Sequence, residues 1–182
     1  MVPLIFKLMK ENNKKTIIFD MDGTLYKFKG DSFKSSGLYD VVIANTLLYI
    51  SSKLEKSEIE AREVLELVFR KYWNSISIGL EKEFKIDRND YFDFAWNIEA
   101  KNYVQFDPRL GEYLSRLKND FELVLISDAP KIWVRIVLEH IGVKEVFKDN
   151  IYSGEGDTRK EFGNAFEAIC KKGGLSPVCV FL

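Results

Sequence analysis

Apolar runs that are continuous rather than alternating set the strongest limit on how this chain can fold. Thr16-Ile17-Ile18-Phe19 and Phe121-Glu122-Leu123-Val124-Leu125-Ile126 are short, rich in strand-forming side chains and nearly unbroken. That is the pattern of strands covered on both faces in a parallel sheet. Val178-Cys179-Val180-Phe181-Leu182 has the same character, and Asn150-Ile151-Tyr152 is a weaker strand candidate. Helical spacing fills the gaps between them. Leu110, Tyr113, Leu114 and Leu117 mark one helix face that follows Pro108 and stops near Asn119. Ile132, Trp133, Ile136, Val137, His140 and Ile141 mark another, opened by Pro130 and closed by Gly142, the usual punctuation of a helix. Phe162, Phe166 and Ile169 mark a third, ended by Gly173-Gly174. Strands alternating with helices predict an α/β fold with a doubly wound parallel sheet.

The stretch from Asp31 to Val104 breaks that alternation. Val41, Val42, Asn45, Leu48 and Tyr49, then Ala61, Val64, Leu65, Val68, Phe69 and Tyr72, then Phe92, Ala95, Trp96 and Tyr103 fall at helical spacing. No convincing strand lies among them, so an all-helical insertion is expected after the first strand. The boundaries are drawn at 1–29 and 107–182 for the α/β core and 30–106 for the helical unit. A chain of 182 residues has room for one domain with such an insertion.

Composition removes several classes of function. The 27 basic and 28 acidic residues leave a net charge of −1, without the basic excess that nucleic-acid polymers attract. A single histidine, His140, rules out multi-histidine metal sites. The two cysteines, Cys170 and Cys179, cannot build a disulfide framework, and the chain is expected to be cytoplasmic. No stretch reaches the ~18 apolar residues of a membrane-spanning helix.

The chemistry concentrates after the first strand, in Asp20-Met21-Asp22-Gly23-Thr24-Leu25. Ligands of open α/β sheets sit at the carboxyl ends of strands. Two carboxylates at i and i+2 on that edge can divide labour, one attacking and one moving protons. Gly23 permits a sharp turn there. A simple capping turn is the plain alternative, since Asp and Gly are ordinary turn residues. A calcium loop counted from Asp20 would need glycine and glutamate where Leu25 and Asp31 stand.

Phe19-Asp20-Met21-Asp22-Gly23-Thr24-Leu25 resembles the first motif of the haloacid dehalogenase-like hydrolases. Leu123-Val124-Leu125-Ile126-Ser127-Asp128 is similar to the second, with Ser127 as a hydroxyl donor and the free N–H groups around Pro130 able to meet a phosphate. Ser153-Gly154-Glu155-Gly156-Asp157-Thr158-Arg159-Lys160 supplies the third, a lysine ahead of a helix. The spacing to Phe166 favours Lys160 over Arg159.

The resemblance implies a Rossmann-like core with a helical cap and phosphate-monoester hydrolysis through an aspartyl-phosphate. Asp20 would be the nucleophile and Asp22 the acid and base. Gly23, Thr24, Ser127, Asp128 and Lys160 would line the phosphate, and Mg²⁺ would be held at Asp20 and Asp22. An aspartate at position 22 favours a phosphatase over a dehalogenase, because a carbon–halogen bond needs no protonated leaving oxygen. The implied partner is a small phosphorylated metabolite, not a nucleic-acid polymer or a membrane.

Leu25-Tyr26 with Ser35-Ser36-Gly37-Leu38 is similar to the pyrimidine 5′-nucleotidase group, which makes a nucleotide monophosphate a candidate substrate. The aromatics Tyr72, Trp73, Tyr91, Phe92 and Trp96 could stack on a base, although helical spacing more often marks core. The family's fourth motif, one or two acids that hold Mg²⁺, would fall at or just past Leu182. With those acids outside the chain, the alternative expectation is a phosphate-binding or regulatory protein with impaired catalysis. Asp128 and Asp157 are the acidic neighbours nearest in sequence to the expected site loops.

Overall fold

The computed structural model describes residues 14–155, 160 and 165, together with the backbone of 179–181. The helix expected around Phe162, Phe166 and Ile169, and also Cys170, Asp157 and Arg159, lie outside the described residues.

Among the described residues, six strands and seven α-helices follow in chain order. β1 (Lys15–Asp20), β4 (Phe121–Ile126), β5 (Ile151–Tyr152) and β6 (Cys179–Phe181) form one sheet in the order β5-β4-β1-β6. Every pairing in it is parallel, and the β1–β4 register runs from Lys15 opposite Phe121 to Asp20 opposite Ile126. The unbroken apolar runs have a direct cause. Ile17, Phe19, Leu123 and Leu125 share one buried cluster with Leu114, Val137 and Phe147, while Ile18, Val124 and Ile126 join Ala165 in another. Neither face of these strands meets water, so neither can alternate.

On the first face lie α5 (Leu110–Asp120), α6 (Lys131–His140) and the short α7 (Lys144–Phe147). Pro130 caps α6, and Gly142 follows it at φ 72°. His140, the last residue of α6, sets its ring edge-on to Phe106 with centroids 5.5 Å apart.

Four α-helices come between β1 and α5: α1 (Leu38–Lys53), α2 (Glu58–Tyr72), α3 (Ile76–Phe84) and α4 (Arg88–Ala95). Their starts are chemically marked. Ser57 and Glu60 form a reciprocal capping box on α2, and Asp87 accepts from the N–H groups of Asn89 and Asp90 on α4. These helices bury a core of their own, including Tyr49, Ile50, Val68, Leu80 and Tyr91. Gly79 brings α3 against α2, since a Cβ there would lie 2.6 Å from Val68 Cγ1.

The two cores are joined. Leu38 and Val42 of α1 belong to the sheet-side cluster, and Trp96 packs on both clusters while stacking on Phe33 at 5.9 Å. The expectation of no strand between Asp31 and Val104 needs correction at its edge. β2 (Lys27–Phe28) and β3 (Val104–Gln105) pair antiparallel where the chain leaves the sheet and returns. Two-residue strands are too short to carry a period that sequence could show. No helix among the described residues is long and apolar enough to cross a membrane.

Candidate active site at the carboxyl end of β1

β1 and β4 end level with one another, so the segments after Asp20 and Ile126 leave the sheet side by side. The turn after β1 tightens immediately. Thr24 and Leu25 N–H both donate to Met21 O, and Gly23 takes φ 85°. A Cβ on Gly23 would meet nothing within 4 Å, so glycine is required there by backbone conformation rather than by crowding. Gly23 and Thr24 are exposed.

Hydrogen bonds link Asp20, Asp128 and Lys160 in one set and Asp22 and Ser127 in another, although these residues come from three distant segments. Asp20 Oδ1 accepts from Met21 N at 2.8 Å and from Lys160 Nζ at 2.5 Å, an ion pair across 140 residues. Lys160 is held in turn by Asp128, whose Oδ1 accepts the Lys160 N–H at 2.7 Å. The Asp128 carboxylate, a candidate phosphate-lining group, is thus engaged with the lysine backbone. Gly154 closes this junction, because its N–H donates to Ala129 O and a Cβ on it would lie 1.9 Å from Asp128 O.

Asp22 is held differently. Its Oδ1 accepts a short hydrogen bond from the Tyr26 hydroxyl, and its Oδ2 accepts from Ser127 Oγ at 2.8 Å. Burial pushes its carboxyl above the ordinary aspartate value, against the pull of these two hydrogen bonds. A shift in that direction helps Asp22 retain a proton. Ser127 is 1% exposed and also accepts from Ala129 N at 3.0 Å. Its one hydroxyl proton is directed at Asp22, so gripping a phosphate would require the O–H to turn.

Of the N–H groups at the helix start around Pro130, candidates to meet a phosphate, that of Lys131 donates to Glu155 Oε1 at 2.8 Å. A protein carboxylate fills part of that anion seat. Nothing near Pro130 in sequence announces a partner 24 residues further on.

Among the described residues no three His, Cys, Asp or Glu side chains converge on a metal position. Both oxygens of Asp22 are engaged by hydroxyl donors, so of the two carboxylates Asp20 is the one left to a metal. Mg²⁺ is commonly held by one or two carboxylates with phosphate oxygens and water. One carboxylate oxygen beside a phosphate seat fits that habit.

A cavity of about 290 Å³ opens between the helices and the sheet end, lined in part by Phe33, Lys34, Tyr39, Asn74, Trp96 and Asp128. The aromatics singled out from sequence divide. Tyr91 and Phe92 are core, Trp96 is stacked on Phe33, Tyr72 donates to Glu83 at 2.7 Å, and Trp73 is 82% exposed.

Comparison with known proteins gives three findings. A family model described as haloacid dehalogenase-like hydrolase matches residues 14–181. No curated protein matches by sequence. Two solved structures align with a TM-score of 0.50 and over 92% of this chain. One, from Haemophilus somnus 129PT, is described as a predicted phosphoglycolate phosphatase; it is 22% identical and covered over 76% of its length. The other is a family enzyme of Bacteroides thetaiotaomicron, an aspartate-to-alanine mutant in complex with magnesium and inorganic phosphate; it is 16% identical and covered over 83%. At these identities the likeness is one of fold.

Proposed function

We propose that this chain, which belongs to the haloacid dehalogenase-like hydrolases, hydrolyses a small phosphate monoester in the cytoplasm through an aspartyl-phosphate, with Mg²⁺ as cofactor. The observation that carries the reading is the Lys160 ammonium on Asp20 Oδ1 beside a hydroxyl-bound Asp22. A lysine so placed neutralises a carboxylate and an incoming phosphate together. It also leaves Asp20 Oδ2 free to attack.

The chemistry runs in two displacements. Asp20 Oδ2 forms a bond to phosphorus as the bond from phosphorus to the leaving oxygen breaks, and Asp22 gives that oxygen its proton. Asp22, now a carboxylate, takes a proton from water as the water oxygen attacks phosphorus and the bond from phosphorus to Asp20 Oδ2 breaks. Inorganic phosphate leaves, Asp20 is free again, and Asp22 is once more an acid. Lys160 balances the negative charge throughout, and Ser127 turns its hydroxyl toward a phosphate oxygen. Mg²⁺ held by Asp20 would add charge neutralisation at the phosphate.

Helices α1–α4 act as a cap, and the 290 Å³ cavity beneath them takes the leaving group. Its size suits a small metabolite, and its aromatic and lysine lining keeps a nucleotide monophosphate among the candidates. The test is a Mg²⁺-dependent hydrolysis screen over a phosphomonoester panel, with Asp20→Asn as control. Asp20→Asn is expected to lower the rate by more than about 10³-fold. Hydrolysis that survives it would overturn the nucleophile assignment.

A further inference from the structure

The two displacements leave one buried hydroxyl beside the carboxylate pair without a part. Tyr26 lies four residues after Asp22, is 2% exposed, and donates to Asp22 Oδ1. Its ring cannot wander. It packs edge-on to Phe28 with centroids 5.1 Å apart, and its hydroxyl also interacts with the side chain of Trp133, which is 1% exposed. A β-bridge between Asp22 and Tyr26 ties the backbone on either side of the turn.

Ser127, the other donor on Asp22, differs in freedom. A serine hydroxyl reorients freely by rotation about one bond, whereas a phenol oxygen stays where its packed ring puts it and its O–H keeps to the ring plane. One donor therefore leaves the carboxyl group readily when a phosphate arrives, and the other stays against it.

We infer that Tyr26 is a positioning residue for Asp22: by occupying Oδ1 permanently it fixes the carboxyl plane and leaves Oδ2, the edge that Ser127 vacates for the phosphate, as the oxygen that exchanges a proton with the leaving group and then with water. The inference rests on the phosphatase reading above. It adds that the two oxygens of Asp22 are not equivalent and names the residue that makes them so.

The experiment compares kcat/KM of wild type and Tyr26→Phe for 4-nitrophenyl phosphate, phenyl phosphate and glycerol phosphate. The loss should grow as the leaving group becomes poorer, since a nitrophenolate departs with little help from a proton and an alkoxide does not. About a twofold fall is expected for the nitrophenyl ester and about tenfold for the alkyl ester, a fraction of what a whole general acid contributes. Ser127→Ala should weaken all three substrates alike. In an Asp22→Asn background, Tyr26→Phe should cost nothing further, because its effect passes through Asp22.

An equal loss on all three esters, no loss on any, or full additivity with Asp22→Asn would overturn the role of Tyr26 while leaving the phosphatase reading intact. Wild-type hydrolysis that persists in Asp20→Asn, or a wild type inactive on all three esters, would overturn that reading and this inference with it.

Discussion

The sheet end and the helical unit each contain a buried tyrosine hydrogen-bonded to an aspartate, and the two pairs reach opposite electrostatic states. At the sheet end Tyr26 donates to Asp22, which among the described residues has no cation in contact, because Lys160 turns to Asp20. Burial then dominates and holds Asp22 toward its neutral form. Among the helices Tyr49 of α1 donates to Asp90 of α4 at 2.9 Å, but Lys53 reaches the same oxygen at 2.5 Å and the carboxylate stands about half exposed. The Lys53 hydrogen bond, with that of Tyr49, holds Asp90 below the ordinary aspartate value. A phenol on a carboxyl group therefore does not by itself decide protonation. What decides it is whether the carboxyl is enclosed and which partner takes the nearest lysine.

The sharpest way to break the comparison is to remove both carboxylates in turn. Asp22→Asn should lower hydrolysis of an alkyl phosphate by about 10²–10⁴-fold, the usual contribution of a positioned acid. Asp90→Asn should leave the rate within about twofold, since its partners are structural. Steady-state kinetics on the two variants checks this, and a comparable loss in Asp90→Asn would erase the distinction.

A second pair of substitutions tests how tightly the two regions are built. In Gly154→Ala the new Cβ would collide with backbone, the Asp128 carbonyl, which cannot retreat without moving the loop that holds Lys160. A loss of about 3 kcal/mol or more is expected, at the upper end of overpacking effects. Gly79→Ala meets side chains instead, Val68 and Tyr72, which can shift. The helix preference of alanine offsets part of that strain, leaving about 1 kcal/mol. Urea denaturation of both variants measures the difference, and hydrolysis should fall in Gly154→Ala alone.

The regions also differ in how much of them sequence could reveal. Ile17–Phe19 and Leu123–Ile126 announce a sheet buried on both faces because local apolarity records two-sided burial. Pro130 and Gly142 bracket α6 because helix ends need particular backbones. The helical spacing of the inserted stretch was readable for the same reason: each face is written within a few turns. Asp20, Asp22, Ser127 and Lys160 were nameable through motif resemblance, each at the edge of a readable element.

The connections among these residues were not readable. The Tyr26 contact with Asp22, the Asp128 carboxylate on Lys160 N–H, the Glu155 carboxylate at the start of α6 and the closeness of Gly154 to Asp128 depend on loops leaving adjacent strands. Sequence spacing records periods along one element and not distances between two.

The smallest expected effect separates the two aspartates by sign. Asp22 has a folded pKa raised above its unfolded value, so in the window between the two the folded state holds more protons than the unfolded state. Stability from this group is full below the unfolded value and is lost as pH rises through the raised folded value. Asp90 has a lowered folded pKa, so in its window the unfolded state holds more protons. Its stabilisation is full above the unfolded value and is lost as pH falls through the folded one. Thermal midpoints recorded between about pH 3 and pH 7 should therefore change in opposite directions when each group is removed. Asp22→Asn should abolish a decline on the alkaline side, and Asp90→Asn should soften the acid limb. Added salt should shrink the Asp90 effect, which is an exposed ion pair, and leave the Asp22 effect, which comes from enclosure. Parallel pH profiles for the two variants would mean that the enclosure of Asp22 does not govern its charge, and the contrast between the two tyrosine–aspartate pairs would fail.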